Sequence, residues 1–240
     1  MADYEQLMAT IRNRRNIRKI RPDPVPGDLL EKLVEAASWA PSGNNSQPWE
    51  FVLIKDPEII RQVGQVYVDQ AEERQRDSMP FHRFKREWMK TVPAMIAILA
   101  DPRWMQAYPH LDDGHPRAAL LKENARRIFL MSMGAAIQNM HLAAETLGLA
   151  MAWMTGAGEP DYMARIKAIL GIPAPLQVVM IAPIGYPYRW PAGRPRRESA
   201  QLIHRDRYDL SRFVPGDMLP VRIKEREPRM EEEEYGENEA

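Results

Sequence analysis

Ala40-Pro41-Ser42-Gly43-Asn44-Asn45-Ser46-Gln47-Pro48-Trp49 is a polar, turn-forming segment set between two apolar ones. Before it, Leu29, Leu30, Leu33, Val34 and Ala37 recur at helical spacing. Asp28 is placed to cap that helix, with Glu31 as the capping-box partner. After it, residues 50–55 (Glu-Phe-Val-Leu-Ile-Lys) read as a strand. Pro41 and Pro48 stiffen both ends, and Gly43 lets backbone approach a ligand closely. Ser42, Asn45 and Gln47 offer uncharged donors and acceptors. The segment exceeds the about 2–6 residues usual between a helix and a strand. Two readings fit it: a connection built from Asx turns, or a site for a neutral, planar, hydrogen-bonding heterocycle.

Working outward, a first helix covers about residues 3–13, with Leu7 and Ile11 one turn apart. Residues 58–76 follow as a helix with Ile59, Ile60, Val63 and Tyr67 on one side, then 93–100 as a buried strand. Residues 101–117 read as a turn-rich, lid-like loop. Residues 117–147 carry the longest helical pattern, closed by Gly148. The centre of this helix, Met131–Ile137, is small and apolar on nearly every face, which predicts packing on all sides, a partner subunit included. A strand over 149–154, a helix over 161–170 ending at Gly171 and a strand over 176–182 complete the order. Alternating helices and strands predict one mixed helix-and-sheet domain over 1–221. Residues 222–240 are mostly charged and end in a Glu-rich run, so they read as a tail disordered at least in part.

The 240 residues contain 45% apolar and 28% charged residues, enough for a sizeable core. Lys+Arg and Asp+Glu are 33 each, so bulk charge argues against a nucleic-acid partner. No apolar run reaches the roughly 20 residues that span a bilayer, and the first residues lack secretory-signal character. With no cysteine, disulfides, Cys-ligated zinc, iron–sulfur clusters and Cys nucleophiles drop out together. The five histidines show no metal-ligand spacing, and His141 with Glu145 reads as an i,i+4 helix pair. A soluble, cytoplasmic protein is the expectation, with any redox chemistry supplied by a bound cofactor.

Three further stretches carry chemistry. Arg14-Arg15-Asn16-Ile17-Arg18-Lys19 puts three guanidinium groups within five residues, suited to phosphate or to the charged end of a helix. Trp153-Met154-Thr155-Gly156-Ala157-Gly158 ends a buried strand, as a ligand turn or a plain one. Gly185-Tyr186-Pro187 is followed by Arg194-Pro195-Arg196-Arg197, a second arginine group or surface charge.

Taken in order with Gly148-Leu149 and Pro183-Ile184-Gly185-Tyr186-Pro187, these stretches resemble the nitroreductase family of flavin enzymes from about residue 8 to 205. The Ala-Pro-Ser-Gly-x-Asn-x-Gln-Pro-Trp segment is the most specific signal. The resemblance implies an α+β fold, a mixed β-sheet flanked by helices, assembled as an intertwined homodimer with two FMN at the interface. It implies that Arg14, Arg15, Asn16 and Arg18 contact the FMN phosphate, ribityl chain and flavin edge. Pro41, Ser42, Gly43 and Asn45 would come from the second chain, and Thr155 and Gly156 would lie near the reactive edge. Arg194 and Arg196 would complete the phosphate clamp, with Arg197 able to replace either. Asn16 stands where the family usually has serine, and Thr155 where many members have glutamate.

By the same resemblance, NADH or NADPH reduces FMN, and a small aromatic acceptor such as a nitroarene or quinone reoxidises it by a ping-pong route. Arg18 is the candidate cation for the reduced flavin. Tyr67, Phe81, Phe84, Trp88, Trp104 and Tyr108 suit a flat acceptor or core packing. Reductive dehalogenation is less favoured, since its acidic-and-aromatic lid motif is missing and Gln47 replaces a glutamate. Oxygen-dependent flavin cleavage, or a non-catalytic role as a flavin sensor or store, is also compatible with the resemblance.

Overall fold

The computed structural model describes residues 3–79, 85–106, 114–193 and 195–224. The chain forms two compact units, one reaching to Pro191 and one beginning at Ala192. The first contains α1 (Tyr4–Asn13), α2 (Gly27–Ser38), β1 (Trp49–Ile54), α3 (Pro57–Arg76), β2 (Ala94–Ala100), α4 (Arg103–Gln106), α5 (Ala118–Thr146), β3 (Ala150–Met151), α6 (Pro160–Leu170) and β4 (Gln177–Gly185). The order of the long elements follows the hydrophobic patterning.

The strands form one sheet in the order β1-β2-β4-β3. Every described pair is antiparallel, in place of the mixed pairing expected. The reason lies in the connections. Ile54 at the end of β1 pairs with Met95 at the start of β2, because α3 leads the chain out and residues 85–93 re-enter the sheet at the same end.

β2 is buried along its whole length, as its unbroken apolar run requires. Its alternate side chains serve two cores. Ala94, Ile96, Ile98 and Ala100 pack with Leu30 and Leu33 of α2 and Met133, Ile137 and Met140 of α5. Met95, Ala97 and Leu99 pack with Ile60, Val63 and Tyr67 of α3 and Ile166 of α6. The period of two along one strand thus builds helix layers on both faces.

Local chemistry sets the element ends. The Asp56 carboxylate accepts from the amides of Glu58 and Ile59 at 2.8 and 3.1 Å and caps α3. Asp28 does not cap α2. The helix begins a residue earlier behind Pro26, and Asp28 instead pairs with Lys32 one turn on. Gly148, at φ +70°, ends α5 as its type predicts: its amide donates to the Glu145 carbonyl and that of Leu149 to the Ala144 carbonyl.

β3 is shorter than the strand expected over 149–154. Past Met151, the Trp153 amide is taken by a side chain from the segment after α1, and the ladder resumes only as a bridge between Met154 and Ile181. The centre of α5 is packed on only part of its surface in one chain. Ser132, Met133, Ala136 and Ile137 are buried, but Leu130 and Met131 are 51% and 66% exposed, so one side of its centre is open within a single chain. No helix among the described residues is long and apolar enough to cross a membrane.

The second unit consists of 3₁₀ turns at Ser199–Gln201, Leu210–Arg212 and Gly216–Met218 and the short helix α7 (Leu219–Lys224). The Arg212 guanidinium donates to the carbonyls of Ile203 and Ala200, and His204 stacks on Tyr208 at 4.1 Å. The last part of the charged tail, 225–240, lies outside the described residues.

Candidate functional site

The first arginine group begins where α1 ends. Arg14 is the C-cap residue, its amide donating to the Thr10 carbonyl at 2.9 Å. Arg15 turns back and donates to the carbonyls of Arg12 and Arg14, the favourable place for a cation at a helix C-terminus. The chain then runs beside β3. Ile17 donates its amide to the Met151 carbonyl at 3.2 Å, and the Asn16 Oδ1 accepts from the Trp153 amide at 2.5 Å. Asn16 therefore works here as an acceptor that ties the arginine segment to the strand end. Arg14, Arg15, Asn16 and Arg18 are all half-buried.

Trp153 stacks on His141 of α5, with ring centroids 5.4 Å apart and planes 20° apart. His141 is 1% exposed, and its Nε2 has no hydrogen-bond partner among the described residues. It does not pair with Glu145 as the spacing suggested. Burial, with the nearby Arg14 charge, holds the imidazole down to about 4. The sign follows: the unfolded chain binds this proton below about 6.5 and the folded one does not until about 4. Stability from this group is complete above about pH 6.5 and falls by about 1.4 kcal/mol per pH unit through that window. A urea-denaturation series at about pH 7, 6 and 5 should show that slope, and His141→Leu should flatten it.

The 40–48 loop is more constrained than an Asx-turn connection. Asn44, Asn45 and Gln47 sit at φ 51°, 53° and 45°, in the left-handed region that costs non-glycine residues energy. Asn tolerates it better than most side chains, which accounts for two of the three. Ser42 holds the loop closed: its hydroxyl accepts from the Gln47 amide at 3.0 Å and its carbonyl from the Asn45 amide at 3.0 Å. Gly43 donates its amide to the buried Ser132 hydroxyl of α5 at 3.3 Å, and Ser132 donates to the Ile128 carbonyl. Pro41 and Asn45 are exposed. Ser132 anchors this loop, and His141 backs the Trp153 group, about 13 Å apart along α5 at about 1.5 Å per residue.

The third group is a 3₁₀ turn, Thr155–Gly158, with Thr155 exposed and Gly156 half-buried. The Tyr67 hydroxyl donates to the Met154 carbonyl at 3.2 Å, and the Gln70 amide donates to the Gly156 carbonyl at 3.1 Å. Tyr67 is 2% exposed, so it is a core and turn-holding residue rather than an open aromatic surface. Trp88 packs against the same core, while Trp104 is 45% exposed. Phe81, Phe84 and Tyr108 lie outside the described residues, as does Arg194. Arg196 and Arg197 belong to the second unit, donating to the carbonyls of Pro195 and Gln201 respectively.

Two residues here were not singled out by patterning, Gln70 and Ser132, while His141 and Trp153 were noted but not as stacking partners. Ser132 had a signal, a lone hydroxyl in an apolar helix centre. Gln70 had none. Half-buried guanidinium groups beside a backbone-rich turn, with a separate polar loop, fit a phosphorylated planar cofactor. Among the described residues no cluster of His, Asp and Glu could hold a metal ion.

Known proteins resemble this chain in sequence and in fold. An NADH dehydrogenase of Thermus thermophilus is 30% identical over 193 residues, covering 72% of this chain and 83% of that protein. An iodotyrosine deiodinase of Nematostella vectensis is 28% identical over 188 residues, covering 74% of this chain and 66% of its own length. The structure of an NADPH:FMN oxidoreductase from Vibrio harveyi, complexed with NAD+, superposes with a TM-score of 0.63 at 20% identity, over 90% of this chain and 82% of that one. The sequence pattern of the Nitroreductase family matches residues 11–186, which take in the arginine segment, the polar loop and the 3₁₀ turn. By that match over most of its length, the chain belongs to the nitroreductase family.

Proposed function

We propose that the chain is an FMN-dependent oxidoreductase that takes hydride from NADH or NADPH and reduces a small aromatic acceptor such as a nitroarene or quinone, in ping-pong fashion. The observation that carries this reading is the Asn16–Trp153 tie, which sets three half-buried arginines against the strand leading into Thr155–Gly156. Bound FMN would supply the two-electron carrier between donor and acceptor.

The chain's own residues bind and orient it. Arg14, Arg15 and Arg18 offer forked donors to phosphate, and Asn16 holds their segment in place. Arg18 is the cation for the charge that builds on the flavin ring. Thr155 and Gly156 face the reactive edge. Pro41, Ser42, Gly43 and Asn45 belong to the neighbouring copy's share of the site, on a loop its own strain and Ser132 keep in one shape. Arg194 and Arg196, or Arg197 in place of either, are the further candidates for phosphate contact. The flavin-binding protein is a homodimer. Support for the dimer comes from the exposed apolar residues Tyr4, Leu7 and Ile11 on α1 and Leu130 and Met131 on α5.

The experiment is an anaerobic visible spectrum before and after NADH or NADPH. Flavin bands that bleach on mixing are the expected result. Bands that persist with both donors would instead favour a flavin sensor or store. A colourless protein that takes up no added FMN would overturn the reading.

A second reading, reductive dehalogenation of an aromatic amino acid, rests on the likeness to the deiodinase. Iodide release from 3-iodotyrosine by the reduced protein, with slow turnover of nitroarenes and quinones, would put it first.

A further inference from the structure

α3 does more than cover the sheet. Tyr67, Gln70 and Arg74 lie one helical turn apart on a single face, and all three reach the chain between β3 and α6. The outer ties along this face are half-exposed or exposed: Arg74 with Glu159, Glu73 with Tyr162 and Asp69 with Arg165. Pairs of that kind hold little by themselves. The inner two differ. Tyr67 and Gln70 are 2% and 6% exposed, so their polar atoms must be satisfied by whatever they touch.

What they touch is two peptide planes. The Met154 carbonyl accepts from the Tyr67 hydroxyl at 3.2 Å and from the Ile181 amide at 3.3 Å. A trans peptide with its carbonyl held inward turns the following N–H, that of Thr155, outward. The Gly156 carbonyl accepts from the Gln70 amide at 3.1 Å. The planes on both sides of Thr155–Gly156 are thus clamped from one helix. The contact also explains the glycine. A Cβ on Gly156 would lie 2.5 Å from the Gln70 side-chain oxygen.

We infer that Tyr67 and Gln70 are positioning residues, which fix the orientation of Thr155–Gly156 and so set how the reactive edge of a bound flavin is held. This rests on the reading that the flavin edge lies at Thr155 and Gly156. Neither side chain touches the reacting atoms. Both act through the turn, and a turn displaced by about 1 Å lowers a rate by up to about a hundredfold.

The test compares FMN-loaded Tyr67→Phe and Gln70→Met with the unchanged protein. Tyr67→Phe keeps the ring that fills the core, and Gln70→Met keeps side-chain length without the donor. FMN occupancy, the visible spectrum, the flavin midpoint potential and the anaerobic rate of reduction by NADH or NADPH are measured on each. The expected result is FMN occupancy near that of the unchanged protein, with shifted flavin bands or potential and reduction slowed between about tenfold and a hundredfold. Loaded variants with the unchanged spectrum, potential and rate would overturn the positioning role and leave the flavin reading standing. An unchanged protein that binds no FMN would overturn that reading, and the inference with it. If one variant does not fold, the other still decides.

Discussion

An Arg14→Ala, Arg18→Ala double variant is expected to lose FMN affinity by at least about a hundredfold. Each guanidinium contact with a charged group contributes about 1.5–3 kcal/mol, and each 1.4 kcal/mol is tenfold in a dissociation constant. Both side chains are half-buried in the segment that Asn16 and Ile17 dock against β3, so their positions are set before a ligand arrives. Arg15, also assigned to the phosphate, should contribute less than the other two. Its guanidinium already donates to the carbonyls of Arg12 and Arg14. Arg15→Ala should therefore cost helix-end stability more than FMN affinity. Quenching of FMN fluorescence on titration with each protein measures the difference. Equal losses in the Arg15 variant and the double variant would contradict the division of labour.

Gly64→Ala is expected to destabilise the protein by about 2 kcal/mol, lowering the melting temperature by about 5 °C for a chain of this size. On helix propensity alone the change should stabilise α3 by up to about 1 kcal/mol. Packing decides otherwise. An added Cβ would stand 2.8 Å from the Lys90 amide nitrogen and 2.9 Å from its Cα, backbone atoms that cannot swing aside. Gly64 is where α3 meets residues 87–90, the turn that returns the chain to β2. Thermal denaturation by circular dichroism checks the value, and a melting temperature at or above that of the unchanged protein would refute it.

The sequence made some of this legible and hid the rest for physical reasons. The run 93–100 announced β2 because a strand covered on both faces must be apolar throughout. Gly148 and Gly171 marked helix ends because both take the left-handed conformation there. Asp28 misled because capping depends on where the preceding proline lets the helix begin, which a spacing rule does not encode. The 40–48 loop stood out by length and composition, but its left-handed residues and its anchor on Ser132 arise only from tertiary contact. Tyr67 read as an aromatic for a flat acceptor or as core packing, and burial decides for the core, where its hydroxyl also holds the turn. Gln70 was invisible, since a glutamine on a polar helix face looks the same whether it meets water or a carbonyl. The antiparallel pairing of β1 with β2 likewise follows from where the chain re-enters the sheet after α3, not from any strand residue.

The central claim is that two copies of the chain together build each flavin site, with the arginine segment from one and the polar loop from the other. Co-expression of the Arg14→Ala, Arg18→Ala chain with a Gly43→Val chain tests it most directly, read as FMN bound per dimer. Each variant alone should bind none. Random pairing makes half of the dimers mixed, each with one intact site of two, so recovery of about a quarter of the full FMN content is expected. No recovery in mixed dimers shown to form would mean that each chain carries a whole site, and would contradict the claim.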